Sequence, residues 1–242
     1  MKIRTKTCFA GETAGRRGEG RRGPLRFLFS RRQWSAAVGW GLLLAAFVVA
    51  MPPQAGAKPE PRLPLLPRDG VVLAFGDSIT YGIGAVYDEN YPAVLERLIG
   101  RKVINAGVPG ELSSHGLRRL AQILGRLRPD MVIICHGGND LIHGVDERLV
   151  AANIRAMVRL AKERGASVIL VAVPRITAGK ISPSPPFYRQ IAAESGVPYA
   201  GDVLKTILEN RAHRADVFHP NALGYRELAE SLAHLMQMSG AF

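Results

Sequence analysis

Cysteine is nearly absent from this 242-residue sequence, which contains only two. Cys8 lies in an N-terminal segment that we expect to be removed, so Cys135 remains alone and no intramolecular disulfide can form. Because Cys135 ends an apolar run at 131–135, we expect a small buried side chain there and not a nucleophile. The sequence therefore excludes a fold held together by disulfides.

The spacing of a metal site is also missing, as are internal repeats and low-complexity segments after the N-terminal region. Five histidines lack acidic or cysteine partners at the separations that metal ligands require, so we expect no metal ion. These are His115, His136, His143, His213 and His234. The 47% hydrophobic content is enough for one domain with a sizeable core.

An excess of positive charge is confined to the N terminus. The whole chain has a net charge of +12, but residues 1–57 hold ten of its 32 Lys and Arg and two of its 20 Asp and Glu. The rest carries 22 basic and 18 acidic side chains, which is close to balance. We therefore expect no nucleic-acid partner, although the overall charge would suggest one.

Long hydrophobic runs are missing as well. The apolar stretch at 36–51 has 16 residues, whereas a membrane-spanning helix needs about 20. It comes after basic residues up to Arg32 and precedes Ala-Gly-Ala at 55–57, which is the pattern of a cleavable export signal. We expect residues 1–57 to be such a signal and the protein to be periplasmic or extracellular.

Two alternatives stay open for this leader. Ser-Arg-Arg-Gln-Trp at 30–34 resembles a twin-arginine signal, so the export route is undecided. An uncleaved membrane anchor is the other alternative, and only such a leader would bring the protein into contact with a membrane. Residues 58–69 contain four prolines and predict an extended tether, which leaves residues 70–242 for the folded domain.

This domain alternates apolar strands with amphipathic helices. Strands are predicted at 71–75, 103–106, 131–135, 168–173 and 197–200. Helices are predicted at 91–99, from 113 or 114 up to Pro129, at 151–164, 188–195 and 202–211, and after a cap at Asn221. Residues 174–186 are rich in Pro, Gly and Ser and predict a long loop. Right-handed crossovers would fold these elements into a three-layer α/β/α domain with a five-stranded parallel sheet.

Polar loops come after the predicted strands at one edge of the sheet, where α/β proteins bind ligands. Ser78 lies after the first strand, Gly110 after the second and Asn139 after the third. Asp216 and His219 share a loop after the last strand. A serine hydroxyl is a weak nucleophile until an imidazole takes its proton, and a carboxylate fixes the tautomer of that imidazole. Ser78, Asp216 and His219 are therefore a candidate catalytic triad.

The attacked carbonyl also develops an oxyanion, which needs fixed hydrogen-bond donors. The backbone N–H groups of Ser78 and Gly110 and the side-chain amide of Asn139 are the candidates. Gly137 and Gly138 beside Asn139 would let the backbone approach a ligand. Basic side chains of the helix after Gly110 are expected on its solvated face. These are Arg118, Arg119, Arg126 and Arg128.

Four sequence blocks resemble those of a known family. They are Gly-Asp-Ser-Ile at 76–79, the segment 105–113 around Gly110, Gly-Gly-Asn-Asp at 137–140 and Asp-Val-Phe-His-Pro at 216–220. In this order they resemble the GDSL or SGNH hydrolases, closest to the small periplasmic thioesterase, lysophospholipase and arylesterase branch. One departure is Pro-Gly-Glu-Leu-Ser at 109–113, where that branch commonly has Ser-Gly-Asp-Thr-Ser, so polar contacts around Gly110 are expected to differ.

The resemblance implies a flavodoxin-like fold, no metal and no cofactor. It also implies Ser78, Asp216 and His219 as the triad, and Ser78, Gly110 and Asn139 as the oxyanion hole. We expect an exported, monomeric serine esterase that cleaves short to medium acyl esters or thioesters through an acyl-enzyme. A carbohydrate O-deacetylase on the same fold and a catalytically silent binding module are the alternatives.

Two isoleucines are candidates for binding the acyl chain. Ile142 lies directly after the third polar loop, and Ile176 lies in the predicted long loop at 174–186. Apolar walls with a few placed polar groups are what such a pocket needs. The alternative is that both side chains only pack their loops onto the domain.

Overall fold

The structure is a computed structural model that describes residues 61–242. Five parallel strands form its central sheet in the order β2-β1-β3-β4-β7, and two short strands form a separate hairpin. In chain order these are β1 (Val71–Gly76), β2 (Lys102–Gly107), β3 (Met131–Cys135), β4 (Ser167–Val171), β5 (Arg175–Thr177), β6 (Lys180–Ser182) and β7 (Tyr199–Ala200). The predicted five-stranded parallel sheet is confirmed.

Apolar side chains explain why β1 and β3 lie at the centre of the sheet. Residues 72–75 of β1 and all of β3, including Cys135, have no exposed surface. In the β1–β3 register Leu73 lies opposite Val132 and Phe75 opposite Ile134. Strands that are apolar on both faces are typical of parallel sheets covered by helices on either side.

Helices form the two outer layers. They are α1 (Ser78–Tyr81), α2 (Tyr91–Ile99), α3 (Ser113–Leu127), α4 (Gly138–Ile142), α5 (Glu147–Glu163), α6 (Pro186–Ser195), α7 (Val203–Glu209) and α8 (Ala222–Met238). Helices α2 and α7 pack against α8, while α3 and α6 pack against α5. The three-layer α/β/α architecture is thereby confirmed. Within residues 61–242, no helix is long and apolar enough to span a bilayer.

Local capping decides where several helices begin. Asn221 caps α8 as predicted, because its side-chain oxygen accepts hydrogen bonds from the N–H groups of Leu223 and Gly224. The predicted start of α5 at residue 151 was four residues late. Asp146 accepts a 2.8 Å hydrogen bond from the N–H of Arg148, so the helix begins at Glu147.

The predicted long loop at 174–186 was wrong, because it contains the β5–β6 hairpin. Ile176 pairs with Ile181 across the two strands. The turn residues Ala178 and Gly179 both have positive φ angles, 49° and 76°. Such a turn normally uses Asn or Gly at its first position, so the alanine conceals it in the sequence. The Arg175–Glu147 ion pair at 2.6 Å connects the hairpin to α5.

The proline-rich segment packs on the domain where the structure describes it. The N–H of Leu63 donates to the carbonyl of Ser239, and that of Leu66 donates to the carbonyl of Ala241, both at 2.7 Å. The Leu66 side chain is buried in the core. Residues 63–66 therefore hold the segment that comes after α8. The predicted export signal at 1–57 and residues 58–60 of the predicted tether lie outside the described residues.

Candidate active site

Ser78 is the first residue of α1, directly after β1. Asp77 begins this short helix, because its carboxylate accepts a hydrogen bond from the N–H of Ile79 at 3.3 Å. The turn packs closely on the neighbouring strand β2. A Cβ atom at Gly107 would lie 2.1 Å from the backbone nitrogen of Tyr81, so only glycine fits there. The sequence thus places a serine hydroxyl at the carboxyl edge of the sheet.

The structure brings Ser78, His219 and Asp216 into one hydrogen-bonded chain. His219 Nε2 lies 2.9 Å from Ser78 Oγ, and His219 Nδ1 lies 2.9 Å from Asp216 Oδ2. Because a carboxylate can only accept, Nδ1 carries the ring proton and Nε2 is left to accept from the serine hydroxyl. This arrangement can take the proton from Ser78 as its oxygen attacks.

The Asp216 carboxylate is kept ionised by its hydrogen bonds. Partial burial raises its pKa, but hydrogen bonds from the His219 ring and from the N–H groups of Phe218 and His219 outweigh that effect, and the pKa falls below its ordinary value. The two N–H groups donate to Asp216 Oδ1 at 2.7 and 2.8 Å. One carboxylate therefore orders the loop and orients the imidazole.

Backbone contacts hold this loop at its ends. Arg214 and Pro220 form an antiparallel bridge, and the N–H of Ala215 donates to the carbonyl of His219 at 2.9 Å. The loop enters α8 through the Asn221 cap. Asp216 and His219 lie between α7 and α8 and not directly after a strand, yet they reach the edge of the sheet that carries Ser78.

Asn139 lies in α4, the single helical turn that comes after β3. Its side-chain nitrogen has two N–H groups. One of them donates to the backbone carbonyl of Glu111 at 3.2 Å, and the second does not take part in that hydrogen bond. Gly110 lies in an exposed turn with φ at 76°, closed by a hydrogen bond from the N–H of Glu111 to the carbonyl of Val108. Asn139 lines the same cleft as Ser78, whereas Gly110 does not line it.

The cleft beside Ser78 and His219, here called the Ser78 cleft, has mostly apolar walls. Both predicted isoleucines, Ile142 and Ile176, line it. Five further apolar residues that the sequence interpretation missed also line it. These are Ile79, Val173, Pro174, Leu208 and Phe218. Phe218 could have been predicted, because it lies beside His219 within the fourth sequence block. Leu208 could not, because it belongs to an ordinary amphipathic helix.

The glycines before Asn139 serve packing more than ligand approach. A Cβ atom at Gly137 would lie 2.7 Å from the hydroxyl oxygen of Tyr188, and φ at this position is 103°. The Tyr188 hydroxyl is buried and donates to the carbonyl of His136 at 2.8 Å. Gly137 therefore makes room for the side chain that fixes the end of β3, while Gly138 does line the Ser78 cleft.

The prediction that the basic residues of α3 lie on its solvated face is wrong for one of them. Arg118, Arg126 and Arg128 are exposed, but Arg119 turns inward. Its guanidinium forms two hydrogen bonds to the Glu111 carboxylate, at 2.6 and 2.8 Å. The side chain of Glu111 is only 8% exposed. This ion pair lies at the departure in the second sequence block, and the polar contacts there involve a glutamate rather than an aspartate.

Comparison with known proteins agrees with this fold and gives a family. The model of the GDSL-like Lipase/Acylhydrolase family matches residues 74–227, which is more than half of the chain. An arylesterase from Vibrio mimicus is 32% identical over 107 residues, which cover 42% of this chain and 54% of the relative. Esterase TesA from Pseudomonas aeruginosa is 31% identical over 107 residues, which cover 42% of this chain and 53% of the relative. The chain thus spans about half the length of these curated relatives.

A solved structure extends the likeness over the whole fold. The crystal structure of TesA superposes with a TM-score of 0.62 at 24% sequence identity, covering 69% of this chain and 98% of the solved chain. The family match at 74–227 includes all four sequence blocks, two of which carry the hydrogen-bonded serine, histidine and aspartate. The chain therefore belongs to the GDSL-like lipase/acylhydrolase family.

Proposed function

We propose that the protein is a serine esterase that hydrolyses short to medium acyl esters or thioesters through an acyl-enzyme. The observation that carries this proposal is the 2.9 Å contact between Ser78 Oγ and His219 Nε2, with Asp216 bound to the other ring nitrogen. Family membership and the names of the curated relatives support the same reaction class.

The proposed reaction has two halves. Ser78 Oγ attacks the acyl carbonyl carbon while His219 Nε2 takes its proton, and the protonated imidazole then gives that proton to the leaving alcohol or thiol. A water molecule next attacks the acyl-serine, with His219 again as the base. The acid is released, and Ser78 recovers its proton. Asp216 stabilises the imidazolium in both halves without moving a proton itself.

In both tetrahedral intermediates the acyl oxygen carries negative charge. We assign the Ser78 N–H, the Gly110 N–H and the second N–H of Asn139 as its donors. The position of Asn139 in the Ser78 cleft and its tie to the Glu111 carbonyl, one residue after Gly110, support this assignment.

Asn139→Ala should lower kcat by roughly 10²- to 10³-fold with a smaller change in KM, because an oxyanion donor acts mainly in the transition state. Steady-state kinetics with a p-nitrophenyl ester would measure both constants. An unchanged thermal unfolding midpoint would show that the loss is not a folding defect. A change confined to KM would instead make Asn139 a substrate-binding residue.

The apolar walls of the Ser78 cleft suggest how acyl chains are selected. Each buried methylene of a substrate contributes about 0.8 kcal/mol, which is about fourfold in kcat/KM. We expect kcat/KM to rise with chain length until the cleft is filled, and then to level off at short to medium chains. Ile142 and Ile176, together with Phe218, would form the walls of that pocket.

Ile142→Ala and Ile176→Ala should lower kcat/KM for the preferred ester by about three- to tenfold and move the optimum to longer chains, since truncation removes apolar contact and enlarges the cleft. The series would run from acetyl to palmitoyl esters. Leu149→Ala is a matched control, because Leu149 is exposed and does not line the cleft. Wild-type profiles in both folded isoleucine variants would remove these residues from the pocket.

We further propose that the protein is exported, on the basis of its leader and the near-neutral charge of residues 58–242. Expressed with the leader, it should be found outside the cytoplasm with Lys58 as its first residue. Replacing Arg31 and Arg32 with lysine should block export only on a twin-arginine route. A membrane-bound product that still begins at Met1 would favour the uncleaved anchor.

A further inference from the structure

A largely buried polar cluster lies next to the loops of the proposed oxyanion hole. It consists of Glu111, Arg119 and His136, here called the Glu111 cluster. The His136 side chain has no exposed surface, and its Nε2 lies 3.1 Å from Glu111 Oε2. Arg119 Nε donates to Glu111 Oε1 and Arg119 Nη2 donates to Glu111 Oε2, so the two residues form a bidentate ion pair. Three polar groups are thus paired within one small region.

The histidine in this cluster has a defined tautomer. The N–H of Gly137 donates to His136 Nδ1 at 2.9 Å, so Nδ1 is unprotonated. Nε2 therefore carries the proton and donates it to the Glu111 carboxylate. Burial raises the pKa of Glu111, but the hydrogen bonds from His136 and Arg119 outweigh that effect and lower the pKa to about 2. The carboxylate stays charged and keeps both donors at neutral pH.

The cluster connects the three loops that carry the proposed donors. Arg119 donates to the carbonyl of Gly76, two residues before Ser78, and to the carbonyl of Ala106 at the end of β2. Glu111 comes directly after Gly110, and its own carbonyl accepts the Asn139 amide. His136 lies three residues before Asn139, at the start of the third loop.

A glycine in the first turn of α3 fits this arrangement. A Cβ atom at Gly116 would lie 2.3 Å from His136 Nε2. Glycine inside a helix is unfavourable relative to alanine, so its presence needs a packing reason. Here it leaves the space in which His136 reaches Glu111.

We propose that the Glu111 cluster sets the relative position of the Gly110 N–H and the Asn139 amide. These two donors come from different loops, and Glu111 and His136 join those loops behind them. Glu111, Arg119 and His136 are therefore positioning residues, which do not touch the substrate. This inference rests on the proposed function, because it names what the cluster supports in the esterase reaction.

The clearest variant is His136→Leu, which removes the hydrogen bond from His136 to Glu111 and leaves the Glu111–Arg119 pair intact. We expect kcat to fall about tenfold with KM nearly unchanged, as for loss of preorganisation in the transition state. His136→Gln keeps an N–H donor for Glu111 and should recover most of the loss. Arg155→Met, which breaks an exposed ion pair with Glu194, is the control and should retain wild-type kinetics.

A double-mutant cycle separates positioning from a general structural effect. If His136 acts through Asn139, His136→Leu should cost less than about twofold in an Asn139→Ala background. Equal losses in the two backgrounds, or wild-type kcat in folded His136→Leu, would overturn the proposal. Should His136→Leu fail to fold, Arg119→Lys in the wild-type and Asn139→Ala backgrounds provides the same cycle, because lysine keeps the positive charge beside Glu111 but loses the bidentate pair.

A spectroscopic measurement makes the inference independent of the esterase activity. The side-chain amide resonances of Asn139, identified by their loss in Asn139→Ala, should shift in His136→Leu and return towards wild-type positions in His136→Gln. Unshifted resonances would contradict positioning. Shifted resonances in a protein without esterase activity would contradict the proposed function and leave the positioning role standing.

Discussion

Replacing Ser78 with alanine should lower kcat by about 10⁴- to 10⁶-fold while the protein keeps its fold. The hydroxyl is the atom that forms the acyl-enzyme in the proposed reaction, and alanine offers no substitute. Its removal should cost little stability, because its hydrogen-bond partner is His219 at the wall of an open cleft. Hydrolysis of a p-nitrophenyl ester would give kcat, and circular dichroism would monitor the fold.

A covalent probe tests the same prediction and does not require a substrate whose acyl chain fits the cleft. A fluorophosphonate should label the wild-type protein at Ser78 and should not label Ser78→Ala. Ser195→Ala is a matched control, since Ser195 lies at the end of α6, away from the Ser78 cleft. A folded Ser78→Ala protein that keeps most of its activity would contradict the nucleophile assignment. Failure of the folded wild-type protein to react would favour a catalytically silent binding module.

The parts of this protein that the sequence predicted well are those where local pattern and burial agree. Residues 131–135 are all apolar, and such a run has few uses other than a strand buried on both faces, which β3 is. Asn221 precedes an amphipathic helix and caps α8. Three of the four polar loops could be found because connectivity places the ends of parallel strands at one edge of the sheet. The fourth, which carries Asp216 and His219, lies between α7 and α8 and could be found only from its own sequence block.

The parts that were missed depend on contacts between distant residues. Arg119 has the helical spacing of a solvated residue, and only the folded structure shows that its side chain reaches the carbonyls of Gly76 and Ala106. The β5–β6 turn was missed because Ala178 adopts a conformation that alanine rarely takes. Neither feature has a local sequence signal, since each is decided by tertiary structure.

Triad side chains act as a unit, and this gives a second large expected effect. His219→Ala should lower kcat by about 10⁴- to 10⁶-fold, because Ser78 then has no base to take its proton. Asp216→Ala should be milder, on the order of 10⁴-fold, since the carboxylate orients and stabilises the imidazole but moves no proton. The His219 and Asp216 variants should fold, because the loop is also held by the Arg214–Pro220 bridge and the Asn221 cap.

Combining the Ser78 and His219 substitutions shows whether the two residues act as one unit or contribute independently to kcat. If Ser78 and His219 form one nucleophile, the double variant Ser78→Ala/His219→Ala should be no slower than Ser78→Ala alone, because the imidazole has nothing left to activate. Independent contributions would instead multiply, and the double variant would be slower than either single variant by several further powers of ten. Fluorophosphonate labelling of His219→Ala should also be slowed strongly, since the probe requires an activated Ser78. Labelling at the wild-type rate would show that Ser78 does not depend on His219 and would remove the histidine from the mechanism.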